Sequence, residues 1–344
     1  MSAKILVSIV TYNSARHLRR CLQSLTAEAL PDARICLWDN ASEDGTLEIA
    51  AAFGDSLDGI RSSNRNIGFC AAHNRVIASN ESEFVLVLNP DVVLEKGFAG
   101  TLVAALDLDP RAGSATGKLW RWQDEYSPRR EDEIPFPEPP QGRRILDTTG
   151  IYFTPAQRHF DRGSGEEDRG QYQHREYVFG ASGAAACYRR KMLEDVMSGA
   201  EYFDEDFFAY REDADLAWRA QWLGWKCLYV PEARGFHVRR VLPERRSKLP
   251  ADINMHSFKN RFLLRAKNMD LGTYARFFVP ITVRDLGALA YVLVREPTSL
   301  KGILLFLKAL PRALAVRRAL QRHRRVSAAE VRSWFSYLPV SKPV

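Results

Sequence analysis

The sequence predicts an α/β fold, a mostly parallel central sheet with flanking helices, followed by a helical C-terminal appendage. Three observations point there. In the first third, short β-rich runs alternate with helical patterns, and strands that alternate with helices pair in parallel through crossover helices. Polar residues collect where those runs end, the place where such sheets bind ligands. From His256 onward the pattern is mainly helical.

Taken in order, strands are expected over 5–10, 34–38 and 84–88, with helices over 15–25 and from Thr46. Their ends carry Thr11-Tyr12-Asn13, Asp39-Asn40 and Asn89-Pro90-Asp91. Between 121 and 177 the chain turns charged, Pro-rich and Gly-rich, as in Pro135-Phe136-Pro137-Glu138-Pro139-Pro140 and Asp161-Arg162-Gly163-Ser164-Gly165-Glu166. That composition predicts a loop-dominated insertion. Regular structure resumes near Val178, with a helix over 213–223 and a strand over 226–230. The expected division is one unit over 1–255 (1–120, the insertion 121–177, and 178–255) and a basic amphipathic helical region over 256–344. No internal repeat is evident.

At 344 residues with 46% hydrophobic content, the chain can bury a full core. Its net charge of +7 is uneven: residues 259–344 hold 17 Lys/Arg against 4 Asp/Glu, leaving 32 against 38 before them. A basic segment seeks nucleic acid or anionic lipid. Here Phe277, Phe278, Val279, Leu286, Leu289, Tyr291, Val292 and Leu293 alternate with Arg276, Arg284 and Arg295. That favours an amphipathic helix on a membrane, with contact over 270–325, and argues against nucleic acid. The longest uncharged apolar run, 286–294, falls short of the roughly 18 residues a bilayer span needs. Five widely spaced cysteines read as reduced core residues, and the N-terminus shows no signal-peptide pattern, so a cytoplasmic protein, peripheral at the inner face of the plasma membrane, is expected.

Several residues have the chemistry of a site. Asp91, after a buried apolar run, is placed as a hard oxygen ligand for a divalent cation; Asn-Pro-Asp is equally a good turn. Glu212, Asp213 and Asp215 begin a helix, where acids are stabilised by free amides. The aromatic cluster before them, however, would desolvate a carboxylate and raise its pKa toward that of a general base. His237 reads as a cation ligand or as a satisfied surface histidine. Gly68 suits close backbone approach ahead of a helix, and the small residues around Gly183 suit tight packing or room for a bulky ligand.

In this order the segments Val-Ser-Ile-Val-Thr-Tyr-Asn, Trp-Asp-Asn-Ala-Ser-Glu-Asp-Gly-Thr, Asn-Ile-Gly-Phe, Leu-Asn-Pro-Asp, Gly-Ala-Ser-Gly-Ala and Tyr-Arg-Glu-Asp-Ala-Asp-Leu-Ala-Trp-Arg resemble the inverting glycosyltransferases of family 2, which have the GT-A fold. The resemblance covers about residues 4–240. It implies that Thr11, Tyr12, Asn13 and Asp39 hold the nucleotide base and ribose, and that Asn66, Gly68 and Phe69 line the nucleotide-sugar. Asp91 matches the last acid of the Asp-X-Asp metal motif and His237 a second metal ligand, with Mg²⁺ or Mn²⁺ as cofactor. Asp213 matches the catalytic base, with Gly183 and Glu212 on the acceptor side. Asn89 stands where many relatives have the first acid of the motif, which removes one negative charge beside the donor.

The Asn-Pro-Asp form is similar to a bacterial rhamnosyltransferase branch, implying transfer of L-rhamnose from dTDP-rhamnose to a glycan or lipid-linked acceptor in cell-surface polysaccharide synthesis. UDP-hexose, UDP-galactofuranose and GDP-sugars are the other donors weighed. Two rivals stand against transfer. Nucleotidyl transfer would call for a Gly-rich loop with Arg and Lys near the N-terminus, where this chain has Thr11-Tyr12-Asn13-Ser14. An inactive glycan-binding scaffold would have lost acids, yet Asp39, Asp91 and Asp213 are all present.

Overall fold

The computed structural model describes residues 3–28, 30, 32–122, 143–239 and 250–344. The Pro-rich stretch 135–140 and residues 240–249 lie outside them. The chain opens with β1 (Ile5–Thr11), α1 (Ala15–Ala27), β2 (Ala33–Asp39), α2 (Thr46–Ala52), β3 (Gly59–Ser62), α3 (Phe69–Ala78) and β4 (Phe84–Leu88). All five residues of β4 are fully buried, which suits an all-apolar central strand covered on both faces. Next come β5 (Val92–Leu94), α4 (Phe98–Leu108), β6 (Ala112–Arg121), β7 (Leu146–Thr148), β8 (Ile151–Phe153), β9 (His159–Asp161) and β10 (Glu176–Val178). The second half holds β11 (Ala185–Arg189), α5 (Arg190–Asp195), α6 (Glu212–Trp222) and β12 (Lys226–His237). It is completed by α7 (Ala251–Asn268), α8 (Leu271–Arg276), α9 (Phe278–Arg295), α10 (Lys301–His323), α11 (Ala328–Arg332) and β13 (Lys342–Pro343).

The main sheet runs β13-β10-β12-β6-β11-β4-β1-β2-β3, with β5 on β12 and β7 on β6. The expected parallel pairing holds from β3 through β2 and β1 to β4, and again between β6 and β12. Between these blocks β11 is antiparallel to both β4 and β6, so the sheet as a whole is mixed. Order 3-2-1-4 changes direction between β1 and β4, and sheets of this kind bind ligands at the strand carboxyl ends beside such a point.

The insertion is less loop-like than its composition predicts. Four three-residue strands lie between 146 and 178, and Leu146 and Phe153 are fully buried. Strands this short leave no readable alternation. The strand over 226–230 continues to His237, past Pro231; the pairing with β6 shifts register between Tyr229 and Arg234, and such a bulge admits proline.

The C-terminal helices are knitted into the first unit. Lys267 of α7, fully buried, lies 2.6 Å from Asp204 and 2.8 Å from Asp215. Asp215 also accepts from Arg219 at 2.9 Å and Asn268 at 2.7 Å. Arg312 of α10 reaches Asp204, Asp206 and Glu201. Trp334 is buried and donates to Gln221 at 3.0 Å, and β13 closes on β10. The helix-start acid Asp215 is therefore structural. All five cysteines are free, four of them buried.

Candidate functional site

Sheet register gathers the polar residues. Thr11 and Asp39 end neighbouring strands in direct register, and Asn89, after β4, donates its N–H to Ala184 O at 2.9 Å. His237, ending β12, sits opposite Val92 of β5, next to Asp91.

The loops after β1 and β2 are locked together. Asp39, fully buried, accepts from Thr11 Oγ1 at 2.7 Å and from Ser42 Oγ and N at 2.6 and 2.8 Å. Asn13, at φ 48°, donates its N–H to Ser42 Oγ at 2.8 Å and accepts from Glu43 N at 2.9 Å. Thr11 is buried with its hydroxyl committed to Asp39, whereas Tyr12 is 51% exposed. The loop's accessible face is thus carried by Tyr12, with Thr11 and Asp39 fixing its shape. Asn40, which sequence reading left without a role, donates to Gly68 O at 3.2 Å and ties this loop to 66–68. Asn66 Oδ1 in turn accepts from Gly68 N at 2.9 Å.

Gly68 has φ 88°, and a Cβ there would lie 2.6 Å from the Phe208 ring and 2.8 Å from Phe208 O, so only glycine fits. Phe69 opens α3, and Cys70 N donates to Phe208 O at 3.1 Å. The loop over 66–68 is thereby seated on the segment before α6. That segment is strained: Phe208, Tyr210 and Arg211 have φ of 65°, 69° and 73°, each costly for a side-chain-bearing residue. It is held by α7. Fully buried Asn260 donates to the carbonyls of Phe207, Ala209 and Tyr210 at 2.8–2.9 Å, Lys259 donates to Asp206 O, and His256 stacks on Phe208 at 4.5 Å.

Beyond this segment Asp213 accepts from Gly183 N at 3.0 Å and from Ala214 N at 2.7 Å. Burial, aided by the nearby charge of Asp161, pushes its pKa up to about 6 against the lowering effect of those amides and Arg239. Glu212 is buried with Oε2 outside any hydrogen bond. Burial first, then Asp213 beside it, raises its pKa to about 8. The helix-start acids therefore divide: Asp213 faces Gly183, Glu212 is a neutral-leaning neighbour, and Asp215 is an anchor.

On the other side, Asp91 Oδ1 lies 3.3 Å from His237 Nε2. Oδ1 is buried and has no partner in hydrogen-bonding geometry among the described residues, which fits an atom meant for a cation. No group of three or more His, Cys, Asp or Glu that could hold a metal occurs among the described residues. A cation here would take two protein ligands and complete its shell from bound phosphate and water, the usual habit of Mg²⁺. Burial raises the Asp91 pKa, but the charges of His237 and His17 outweigh it, and the carboxyl is held low. Burial lowers the His237 pKa, yet Asp91 and Asp147 carry it up to about 10.

Asp147 went unnoticed in the sequence. It is 1% exposed, lies 2.8 Å from His237 Nδ1 and accepts from Arg239 at 3.1 Å; Arg239 also pairs with Asp161. A run of ion pairs, Asp91–His237–Asp147–Arg239–Asp161, thus leads from the candidate cation ligands toward Asp213. Nothing in Leu-Asp-Thr-Thr distinguishes Asp147 from a surface loop acid.

Buried acids gathered at the strand ends and switch point of a mixed sheet are the arrangement of a GT-A glycosyltransferase. Residues 6–197 match the family described as Glycosyl transferase family 2, and the chain belongs to it. It is 30% identical over 242 residues to the N-acetylglucosaminyl-diphospho-decaprenol L-rhamnosyltransferase of Mycobacterium tuberculosis, covering 67% of this chain and 75% of that one. It is 25% identical over 138 residues to the cholesterol galactosyltransferase of Borreliella burgdorferi, covering 40% and 38%. Residues 1–349 of S. aureus TarS superpose with TM-score 0.54 at 18% identity, covering 96% of this chain and 89% of that one. GalNAc-T7 crystallised with UDP, GalNAc and Mn²⁺ gives 0.55 at 14% identity, covering 77% and 48%.

Proposed function

We propose that this glycosyltransferase inverts the sugar's configuration, taking L-rhamnose from dTDP-rhamnose to a glycan or lipid-linked acceptor with a divalent cation bound. The observation that carries the mechanism is Asp213, a half-buried carboxylate with its pKa raised to about 6, held by Gly183 N one residue from Ala184, whose carbonyl accepts from Asn89 N beside Asp91. The donor assignment is supported by the mycobacterial relative, whose named reaction transfers L-rhamnose to a diphospho-polyprenol-linked sugar. Cation use is supported by the GalNAc-T7 structure, which holds UDP, GalNAc and Mn²⁺, and by the close pair of Asp91 Oδ1 and His237 Nε2, 3.3 Å apart.

Tyr12, on the loop shaped by Thr11, Asn13 and Asp39, flanks the nucleotide base and ribose. Asn66, Gly68 and Phe69 line the donor, Asn89 borders its phosphates, and Gly183 and Glu212 border the acceptor. Asp91 and His237 would hold Mg²⁺ or Mn²⁺, which supplies the positive charge that stabilises a leaving diphosphate. Asp213 takes the proton of the acceptor hydroxyl as that oxygen attacks the anomeric carbon. The carbon–phosphate-oxygen bond breaks on the opposite face, and its electron pair leaves with the nucleoside diphosphate. A carboxylate offers about four acceptor positions, so the Gly183 and Ala214 amides orient Asp213 and leave it capacity for the acceptor.

The acceptor's lipid gives the C-terminal helices a role at the inner face of the membrane. Phe278, Val279, Val283, Leu286 and Leu304 are exposed on α9 and α10, beside exposed Arg276, Arg295, Lys301 and Lys308. This suits an anionic bilayer surface. No helix among the described residues is long and apolar enough to cross a membrane. Three residues of the expected lipid face turn inward: Arg284 donates to Ala156 O and Gln157 O, Val292 is buried, and Phe277 packs on the core against Phe335.

A donor panel of dTDP-rhamnose, UDP-sugars and GDP-sugars, with Mg²⁺ or Mn²⁺ and then chelator, tests the reading. Metal-dependent turnover of dTDP-rhamnose supports it, turnover of another donor alone replaces the sugar, and binding of none overturns it. For the membrane, Val279→Asp with Leu286→Asp should reduce sedimentation with anionic vesicles; unchanged sedimentation removes that part.

A further inference from the structure

We infer that Asp147 is a positioning residue for the cation site: it accepts the Nδ1 hydrogen of His237 and so leaves Nε2, beside Asp91, as the nitrogen that gives up its hydrogen to take a cation. The inference rests on the cation reading of Asp91 and His237 and goes beyond it by naming what makes the histidine a usable ligand.

Three observations carry it. His237 Nδ1 lies 2.8 Å from Asp147 Oδ2 and Nε2 lies 3.3 Å from Asp91 Oδ1, so the ring is held between two acids with one nitrogen assigned to each. Asp147 is itself fixed: 1% exposed, it accepts from Arg239 NH1 at 3.1 Å on its other oxygen and has Arg121 Nε 3.8 Å away. Its charge is therefore compensated from behind rather than available to the crevice. Finally, β7, which carries Asp147, pairs antiparallel with β6, which pairs in turn with β12. Acid and histidine are thus set by one sheet.

A neutral imidazole has one N–H and one lone pair, and an outer acid that binds the N–H fixes which nitrogen can coordinate. Without it, the Nε2–H form would point a hydrogen at the cation. Outer partners of this kind typically change metal affinity by about 10- to 100-fold.

The test is Mn²⁺ titration, by electron paramagnetic resonance of the free ion, of the full chain with dTDP present. Nucleotide affinity without metal and melting temperature are recorded alongside. Asp147→Leu should weaken Mn²⁺ by about 10- to 100-fold while metal-free dTDP binding stays unchanged. Asp147→Asn, whose Oδ1 still accepts from Nδ1–H, should recover most of that loss. His237→Ala is the reference. If His237→Ala weakens Mn²⁺ and Asp147→Leu does not, the positioning role is overturned and the cation reading stands. If wild type does not bind Mn²⁺, or His237→Ala changes nothing, the cation reading itself falls. Should Asp147→Leu fail to fold, ring-nitrogen chemical shifts of His237 in wild type with Mg²⁺ and dTDP decide: hydrogen on Nδ1 is expected, and hydrogen on Nε2 overturns the inference.

Discussion

An aspartate with a pKa near 6 leaves a mark on the rate that an ordinary aspartate near 4 does not. If Asp213 must be ionised to accept the acceptor's proton, about nine-tenths of the enzyme is competent at pH 7 and about one-tenth at pH 5. Transfer should fall about tenfold between them, and about tenfold more for each further pH unit. The assay is nucleoside diphosphate release with saturating donor from pH 4.5 to 8, with donor binding measured at each pH to separate chemistry from affinity. Asp213→Asn should lower the plateau by about 10²- to 10⁴-fold and abolish the acid limb, leaving donor binding intact. Asp161 supplies a shift in known direction: its charge raises the Asp213 pKa and Arg239 lowers it. Asp161→Asn removes the first and frees the second, so the acid limb should move to lower pH. A wild-type profile flat to pH 5, or an Asp213→Asn enzyme that keeps the same limb, would refute the assignment.

Three further substitutions probe the scaffold around the site. Lys267→Ala leaves buried Asp204 and Asp215 short of a cation and should cost about 3–5 kcal/mol; calorimetry showing an unchanged melting temperature would dismiss the network as an anchor. Gly68→Ala places a Cβ against Phe208 at a φ of +88°. The donor KM should rise on the order of tenfold or more, and a wild-type KM would show that the loop is not seated as described. Trp334→Ala empties a buried site against Phe179 and Gln221 and should cost about 3–5 kcal/mol, read by urea denaturation; a loss near zero would mean that the last turns are merely draped on the surface.

Much of the crevice was legible because its residues sit where strand patterns stop. Thr11-Tyr12-Asn13, Asp39 and Asp91 each follow an apolar run, and the runs were long enough to be read. β6 was not legible, because Ala-Gly-Ser-Ala-Thr-Gly has the composition of a loop although Ala112 and Ala115 are fully buried. The strands β7 to β10 were too short to alternate, and Asp147 disappeared with them. The C-terminal helices were recognisable as helices, but their charges misled: Lys267 and Arg265 look like solvent-facing residues and are buried. Which charge is paired inside depends on a partner such as Asp215, 52 positions away, and local pattern carries no record of that.

The ladder that sets His237 opposite Val92 also decides which changes in chain length the enzyme can absorb. Asp91 and His237 are neighbours because two strands are in register, and the length of polypeptide looping between them does not enter. Loops between β5 and β12 can therefore lengthen or shorten while the pair stays in place. Loss of one residue inside β12, downstream of its bulge, would turn His237 to the opposite face of the sheet, even with every side chain named here still in the sequence. For homologues and designed chimeras, an alignment gap is thus tolerable or ruinous according to whether it falls in a connection or in a rung.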